Sequence, residues 1–185
     1  MPSTPKIYIE SCPIIDMAKF KANVSLGANL AIQAQRENNV WFCNQMLKAA
    51  RSGDLIIFSS ALSAVECTHV EPGQPVPSIE IQDFFNMLLS SGRSGIIKVQ
   101  PTETIQMLAK NIKWKEAVPL GGMDAIHVAT ALHMGCEEFI TTDGKIYKNR
   151  DKLAHAKMNI LQAHETKALP DEYRQSELGD GSFGE

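Results

Sequence analysis

Four acids stand where one sheet edge could gather them: Glu10, Glu66, Asp124 and Asp143. "KIYIE" closes on Glu10, "SALSAVE" carries Glu66 within an apolar run, "MDAIHVATAL" opens with Asp124, and "FITTD" closes on Asp143. Singly, two of them have ordinary readings. Asp124 fits a first-turn acid favoured by the helix dipole, and Asp143 before Gly144 fits a turn. Glu66 lies among Ala64, Val65 and Cys67, where an acid is costly without a partner. Glu10 ends an apolar strand, where it also reads as a strand-edge charge. As a set they suggest more. Clustered carboxylates repel one another unless a cation neutralises them, and hard divalent cations such as Mg²⁺ or Mn²⁺ take oxygen ligands. A cation so held can activate water against a phosphodiester and offset the negative charge of the transition state. Such chemistry needs no nucleophilic Ser or Cys.

The elements that must position these acids alternate along the chain. Strands are predicted at "KIYIES", "LIIF", "GIIKVQ" and "EEFITT", with "KMNILQA" as a fifth. Between them lie helical patterns. One starts at Pro13, and another runs from about Gln35 to a Ser52-Gly53 stop. A third covers "SALSAVECTHV", so that Glu66 falls about two turns into it. Further helices begin after Ser78, after Thr102 and before Asp124. "EPGQPVPS" is a loop, and Lys145 to Lys157 reads as a polar stretch. Alternating strands and helices point to an α/β fold with a mainly parallel sheet of four to five strands. In such sheets sites gather beyond the carboxyl ends of the strands, where Glu10 and Asp143 fall.

Length and composition fit this reading. The 185 residues suit one domain, and 44% hydrophobic residues suffice for a core. The net charge of −3 does not by itself announce a nucleic-acid partner. It is unevenly spread, however: without the stretch from Pro170, 17 bases face 16 acids. The stretch from Pro170 is therefore expected to be an acidic, disordered tail. No run is apolar enough to span a bilayer, and no secretory signal opens the chain, so a cytoplasmic protein without a membrane partner is expected. The four cysteines form no CxxC pair and read as free thiols.

The order "IYIES", "SALSAVE", "MDAIHVATA", "FITTD" resembles the PIN domain of metal-dependent nucleases, and most strongly the VapC-like toxin ribonucleases of toxin–antitoxin pairs. The likeness spans roughly the first 165 residues, which implies a domain over 1–165 followed by the acidic, disordered tail over 166–185. It implies a three-layer α/β/α sandwich and a metal-dependent endoribonuclease in which Glu10, Glu66, Asp124 and Asp143 are the catalytic metal ligands. Mg²⁺ or Mn²⁺ would be the cofactor, with Ser11 and Thr142 as supporting hydrogen-bond partners. It also implies RNA as substrate, a cognate antitoxin and a homodimer. One departure stands out: Glu10 occupies a position the family usually gives to the shorter Asp. That substitution motivates the alternative of a catalytically weak PIN fold that binds RNA or a protein.

Further polar residues lie near the set in sequence. Lys145, Tyr147, Lys148 and Arg150 follow Asp143 directly and read equally as an RNA contact, by charge and stacking, or as a solvated loop. Asp16 reads as a solvated helix acid. His127, one turn after Asp124, reads as a core or rim histidine sooner than a general base. His69 is a weak candidate for the rim, and Trp114 is expected to pack partly into the body.

Overall fold

Residues 3–70, 76–115, 117–153 and 158–175 are described in the computed structural model. The apolar runs become β1 (Lys6–Ile9), β2 (Ile56–Ser60), β3 (Ile96–Val99), β4 (Glu138–Ile140) and β5 (Asn159–Leu161). They form one five-stranded sheet in the order β3-β2-β1-β4-β5, and every pairing is parallel. The central strands β1 and β4 are almost wholly buried, as a sheet covered on both faces requires.

The helices are α1 (Ser11–Lys21), α2 (Leu30–Ser52), α3 (Ser63–Glu66), α4 (Ile79–Leu89), α5 (Glu103–Trp114), α6 (Gly122–His133), α7 (Gly144–Lys148) and α8 (Arg150–Leu153). Strand alternation sorts them into two layers. Ile7, Ile9 and Ile57 pack with Ile14 and Met17 of α1, Met46 of α2 and Phe85 of α4. Tyr8, Phe58 and Phe139 face the other way, against Ile105 and Ile112 of α5, Val128 of α6 and Ile146 of α7. The result is a three-layer α/β/α sandwich.

Local chemistry sets the boundaries. Asn29, Ser78 and Thr102 cap α2, α4 and α5 by accepting from backbone amides. Gly53, at φ +88°, ends α2 in the left-handed conformation, and its N–H meets Ala49 O and Ala50 O. Two expectations are corrected. The third helix stops at Glu66 because Cys67 turns to ψ 65°, so Glu66 is its last residue and the spacing to His69 is lost. The stretch after Asp143 is not irregular but forms α7 and α8, buried through Ile146 and Leu153.

Of the stretch expected as a tail, residues 166–175 lie on the body, and 176–185 fall outside the described residues. Glu138 of β4 holds this segment: Oε2 accepts from Thr166 Oγ1 (2.5 Å), and Oε1 from the amides of Lys167 (2.8 Å) and Ala168 (3.1 Å). Leu169 is buried, and Tyr173 donates its hydroxyl to Asp54 Oδ2 at 2.7 Å. All four cysteines are free. Among the described residues no helix is long and apolar enough to cross a membrane.

Candidate functional site

The strand order reverses at β1, which has β2 on one side and β4 on the other. The crevice at the carboxyl ends of two such strands is where open parallel sheets place ligands. Glu10 leaves β1 there. Its amide donates to Ile140 O (3.1 Å), extending the pairing with β4 by one residue. Its side chain is buried, and Oε2 accepts from Cys12 N (3.0 Å) and Thr141 Oγ1 (3.1 Å). Burial pushes the Glu10 carboxyl above the usual value, against the pull of nearby His127 and these hydrogen bonds.

Glu66 arrives from the end of α3. Its Oε2 accepts from Ser11 Oγ and lies 2.7 Å from His127 Nε2. Burial pushes this carboxyl up as well, but the hydrogen bonds from His127 and Ser11 outweigh it, and the group sits below its usual value. Ser11 Oγ also lies 3.1 Å from Ser63 Oγ, which is 2.9 Å from Ser59 Oγ, and Ser59 donates to Ile9 O at 2.8 Å. These hydroxyls tie α1, α3, β1 and β2 together beneath the two acids.

His127 comes from the buried face of α6. Its Nδ1 lies 2.6 Å from the Tyr8 hydroxyl, which accepts from Ser60 N at 2.8 Å. One ligand atom each from Glu10, Glu66 and His127 lie within 4.8 Å of one another. Two carboxylates match what Mg²⁺ or Mn²⁺ takes from a protein, with water and substrate phosphate completing the shell. An imidazole nitrogen is a donor for softer metals, but here Nε2 is turned onto Glu66.

Of the four expected acids, the structure therefore brings Glu10 and Glu66 together. Asp143 sits on the same edge. Thr141 Oγ1, which donates to Glu10, accepts the Asp143 amide at 2.9 Å. The Asp143 carboxylate itself caps α7, with Oδ1 accepting from Lys145 N (2.5 Å) and Ile146 N (3.2 Å). Asp124 lies one turn before His127, and its Oδ2 turns back to Gly121 N at 3.1 Å. Neither belongs to the three-residue group.

Ser11 donates its hydroxyl to Glu66 Oε2. Thr142 supports a different acid, donating to Asp16 Oδ2 at 2.9 Å. Asp16 is not solvated: it is 3% exposed and pairs through Oδ1 with Arg36 Nη1 at 3.2 Å. Helix α1 buries that face, so Asp16 points into the body, and only its two partners make this tolerable. After burial, Glu10, Asp143 and Asp16 together push the Cys12 thiol up, so all three acids are felt at one point.

Lys145, Lys148 and Arg150 are exposed beside this edge. Tyr147 donates its hydroxyl to Glu165 Oε1 at 2.9 Å, and the Arg150 guanidinium covers its ring at 4.4 Å. Trp114 is 73% exposed instead of packed into the body, with Lys110 Nζ 4.6 Å above its ring. Sequence reasoning missed Tyr8, Thr141 and Ser63. For Tyr8 a signal existed, because a residue two before Glu10 on a strand shares its face.

No family model matches the chain, and no curated protein matches it.

Proposed function

We propose that the chain is a Mg²⁺- or Mn²⁺-dependent endoribonuclease of PIN-like architecture that hydrolyses RNA phosphodiesters. The observation that carries this reading is the meeting of Glu10 and Glu66 at the strand-order reversal, with Asp143 beside them. A divalent cation there supplies Lewis acidity and countercharge for an attacked phosphodiester. Glu66, held ionised by Ser11 and His127, and Glu10, aimed by Thr141 and Cys12 N, hold that cation. Asp143, and Asp124 once released from Gly121, complete the acidic rim. Lys145, Lys148 and Arg150 face the sugar–phosphate chain, and the stacked Arg150–Tyr147 pair gives a base a flat surface.

The protein acts in the cytoplasm as the toxin of a toxin–antitoxin pair, as a homodimer that a cognate antitoxin covers. Incubating unstructured RNA with purified protein, with Mn²⁺ or with EDTA, tests the activity. Mn²⁺-dependent internal cleavage is expected, and Glu66→Gln should slow it about 10²-fold or more, the loss typical of a misplaced reacting group. Cleavage untouched by Glu66→Gln and by EDTA would overturn the assignment.

A second reading is a catalytically weak PIN fold that binds RNA or a protein. It is favoured by the engagement of Asp124 and Asp143 with their own helix amides, outside the three-residue group. It expects RNA binding without turnover, and Glu10→Asp to create cleavage. Robust wild-type cleavage rules it out.

A further inference from the structure

We propose that Tyr8 and His127 are positioning residues: Tyr8 occupies His127 Nδ1 and, with Glu66 at the other nitrogen, holds one tautomer, so that His127 donates through Nε2 to Glu66 and stays out of the metal shell. The inference rests on the metal-dependent reading above and deepens it, because it makes the site one that recognises a hard, oxygen-seeking cation.

Hydrogen-bond counting carries it. The Tyr8 oxygen has two partners among the described residues, Ser60 N at 2.8 Å and His127 Nδ1 at 2.6 Å. The Ser60 amide can only donate. The Tyr8 proton then has one acceptor in reach, Nδ1, and Tyr8 is fully buried against Phe139 at a 5.0 Å ring separation, with no solvent to serve instead. A bare Nδ1 leaves the imidazole proton on Nε2. At the other end, Nε2 lies 2.7 Å from Glu66 Oε2. An ionised carboxylate so close requires a proton on Nε2, since two lone pairs would otherwise face each other. Both ends of the ring demand the same tautomer.

The chain Ser60 N–H to Tyr8, Tyr8 O–H to His127, and His127 Nε2–H to Glu66 therefore runs from the sheet to the acid. It is the arrangement by which outer groups orient a ligand and set its basicity. It holds Glu66 Oε2 from one side while Ser11 holds it from another. With its lone pair spent on Tyr8, His127 has no nitrogen free for a metal, and the donors left to a cation are oxygens, which favour Mg²⁺ and Mn²⁺ over softer ions.

Long-range ¹H–¹⁵N NMR on metal-free protein at neutral pH tests the tautomer directly. The His127 ring should show a protonated Nε2 and a bare, hydrogen-bonded Nδ1, and Tyr8→Phe, which removes the hydrogen bond to Nδ1, should shift the Nδ1 resonance while Glu66 keeps the proton on Nε2. A protonated Nδ1 in wild type, or a spectrum unchanged in Tyr8→Phe, overturns the proposal. Calorimetric titration with MnCl₂ gives a second reading. His127→Gln keeps an N–H near the Nε2 position and should hold Mn²⁺ within a few-fold of wild type. His127→Leu should weaken it about 10–100-fold, the usual scale for an outer-shell partner. Equal losses in both would make His127 a ligand and overturn the proposal. If Tyr8→Phe fails to fold, the wild-type spectrum and the His127 pair still decide. Absence of RNA cleavage with the predicted tautomer present would sink the nuclease reading alone.

Discussion

Asp16 illustrates how a buried acid reports on its surroundings. Burial is the largest influence on it and holds its carboxyl above the usual value, against the pull of Arg36 and Thr142. The native state thus binds this proton more tightly than the unfolded chain does. The resulting stabilisation is whole below the unfolded value of about 4 and is lost as pH rises through the raised native value. Asparagine has no such proton to lose. Urea denaturation should therefore show Asp16→Asn gaining on wild type as pH rises through that window; a difference that stays flat with pH would contradict it. Glu66 is shifted the opposite way: burial pushes it up, but the hydrogen bonds from His127 and Ser11 prevail and favour its charged form. Local sequence marked Glu66 as an acid in need of a partner because its neighbours are apolar; it has one, although Val65 is 69% exposed and Glu66 is only partly buried. Local sequence did not identify the partner, since His127 lies 61 residues away.

At the scale of elements, two attachments can be probed separately. Glu138 ties the C-terminal segment to β4 by accepting from Thr166 Oγ1 and two backbone amides. Glu138→Ala leaves those donors unpaired and should cost about 1–3 kcal/mol for the buried groups involved. Hydrogen exchange should accelerate at the Lys167 and Ala168 amides while the β1–β2 amides stay protected; uniform acceleration would mean the segment is part of one cooperative unit. Gly95, ahead of β3, sits at φ +86°, and a Cβ there would meet Ala50 Cβ of α2 at 2.9 Å. Gly95→Ala should therefore lose at least about 1–2 kcal/mol from the left-handed conformation alone. The packing conflict adds to that loss, and the midpoint of chemical denaturation measures the sum. A fall of no more than about 1–2 kcal/mol would show that α2 gives way and that only the backbone strain remains.

For the whole molecule, metal binding and folding are linked. A cation that binds the folded chain alone stabilises it by about 2.7 kcal/mol at 100 times its dissociation constant. In a chain of this size that corresponds to a rise of about 5–10 °C in melting temperature. MnCl₂ should produce such a rise in wild type, and Glu10→Gln and Glu66→Gln should each remove most of it. A rise that survives both substitutions would place the cation elsewhere. Asp124→Asn and Asp143→Asn are the informative comparison, because their carboxylates are engaged by Gly121 N and by the α7 amides.

Much of the architecture was legible in the chain. Apolar runs bounded by turn residues, alternating with helical periodicity, suffice for an α/β sandwich on a parallel sheet, because both signals are local and repeat many times. The same reading placed Glu10 at a strand end and singled out Glu66, whereas Ser11 entered only through the family resemblance. It did not locate the turn at Cys67 that ends α3, the burial of Asp16, or the diversion of Thr142 to Asp16, none of which leaves a periodic trace. Nor did it tell which acids converge. Asp124 and Asp143 occupy the expected positions, yet each spends its carboxylate on amides within three residues, a local bond that competes with any long-range one. Convergence depends on strand order and on the rotation of α3 and α6 about their axes, and only the packing of both layers on the sheet sets those. The order of elements and the acid at the end of β1 belong to the sequence; the meeting of Glu10, Glu66, His127 and Tyr8 belongs to the tertiary structure.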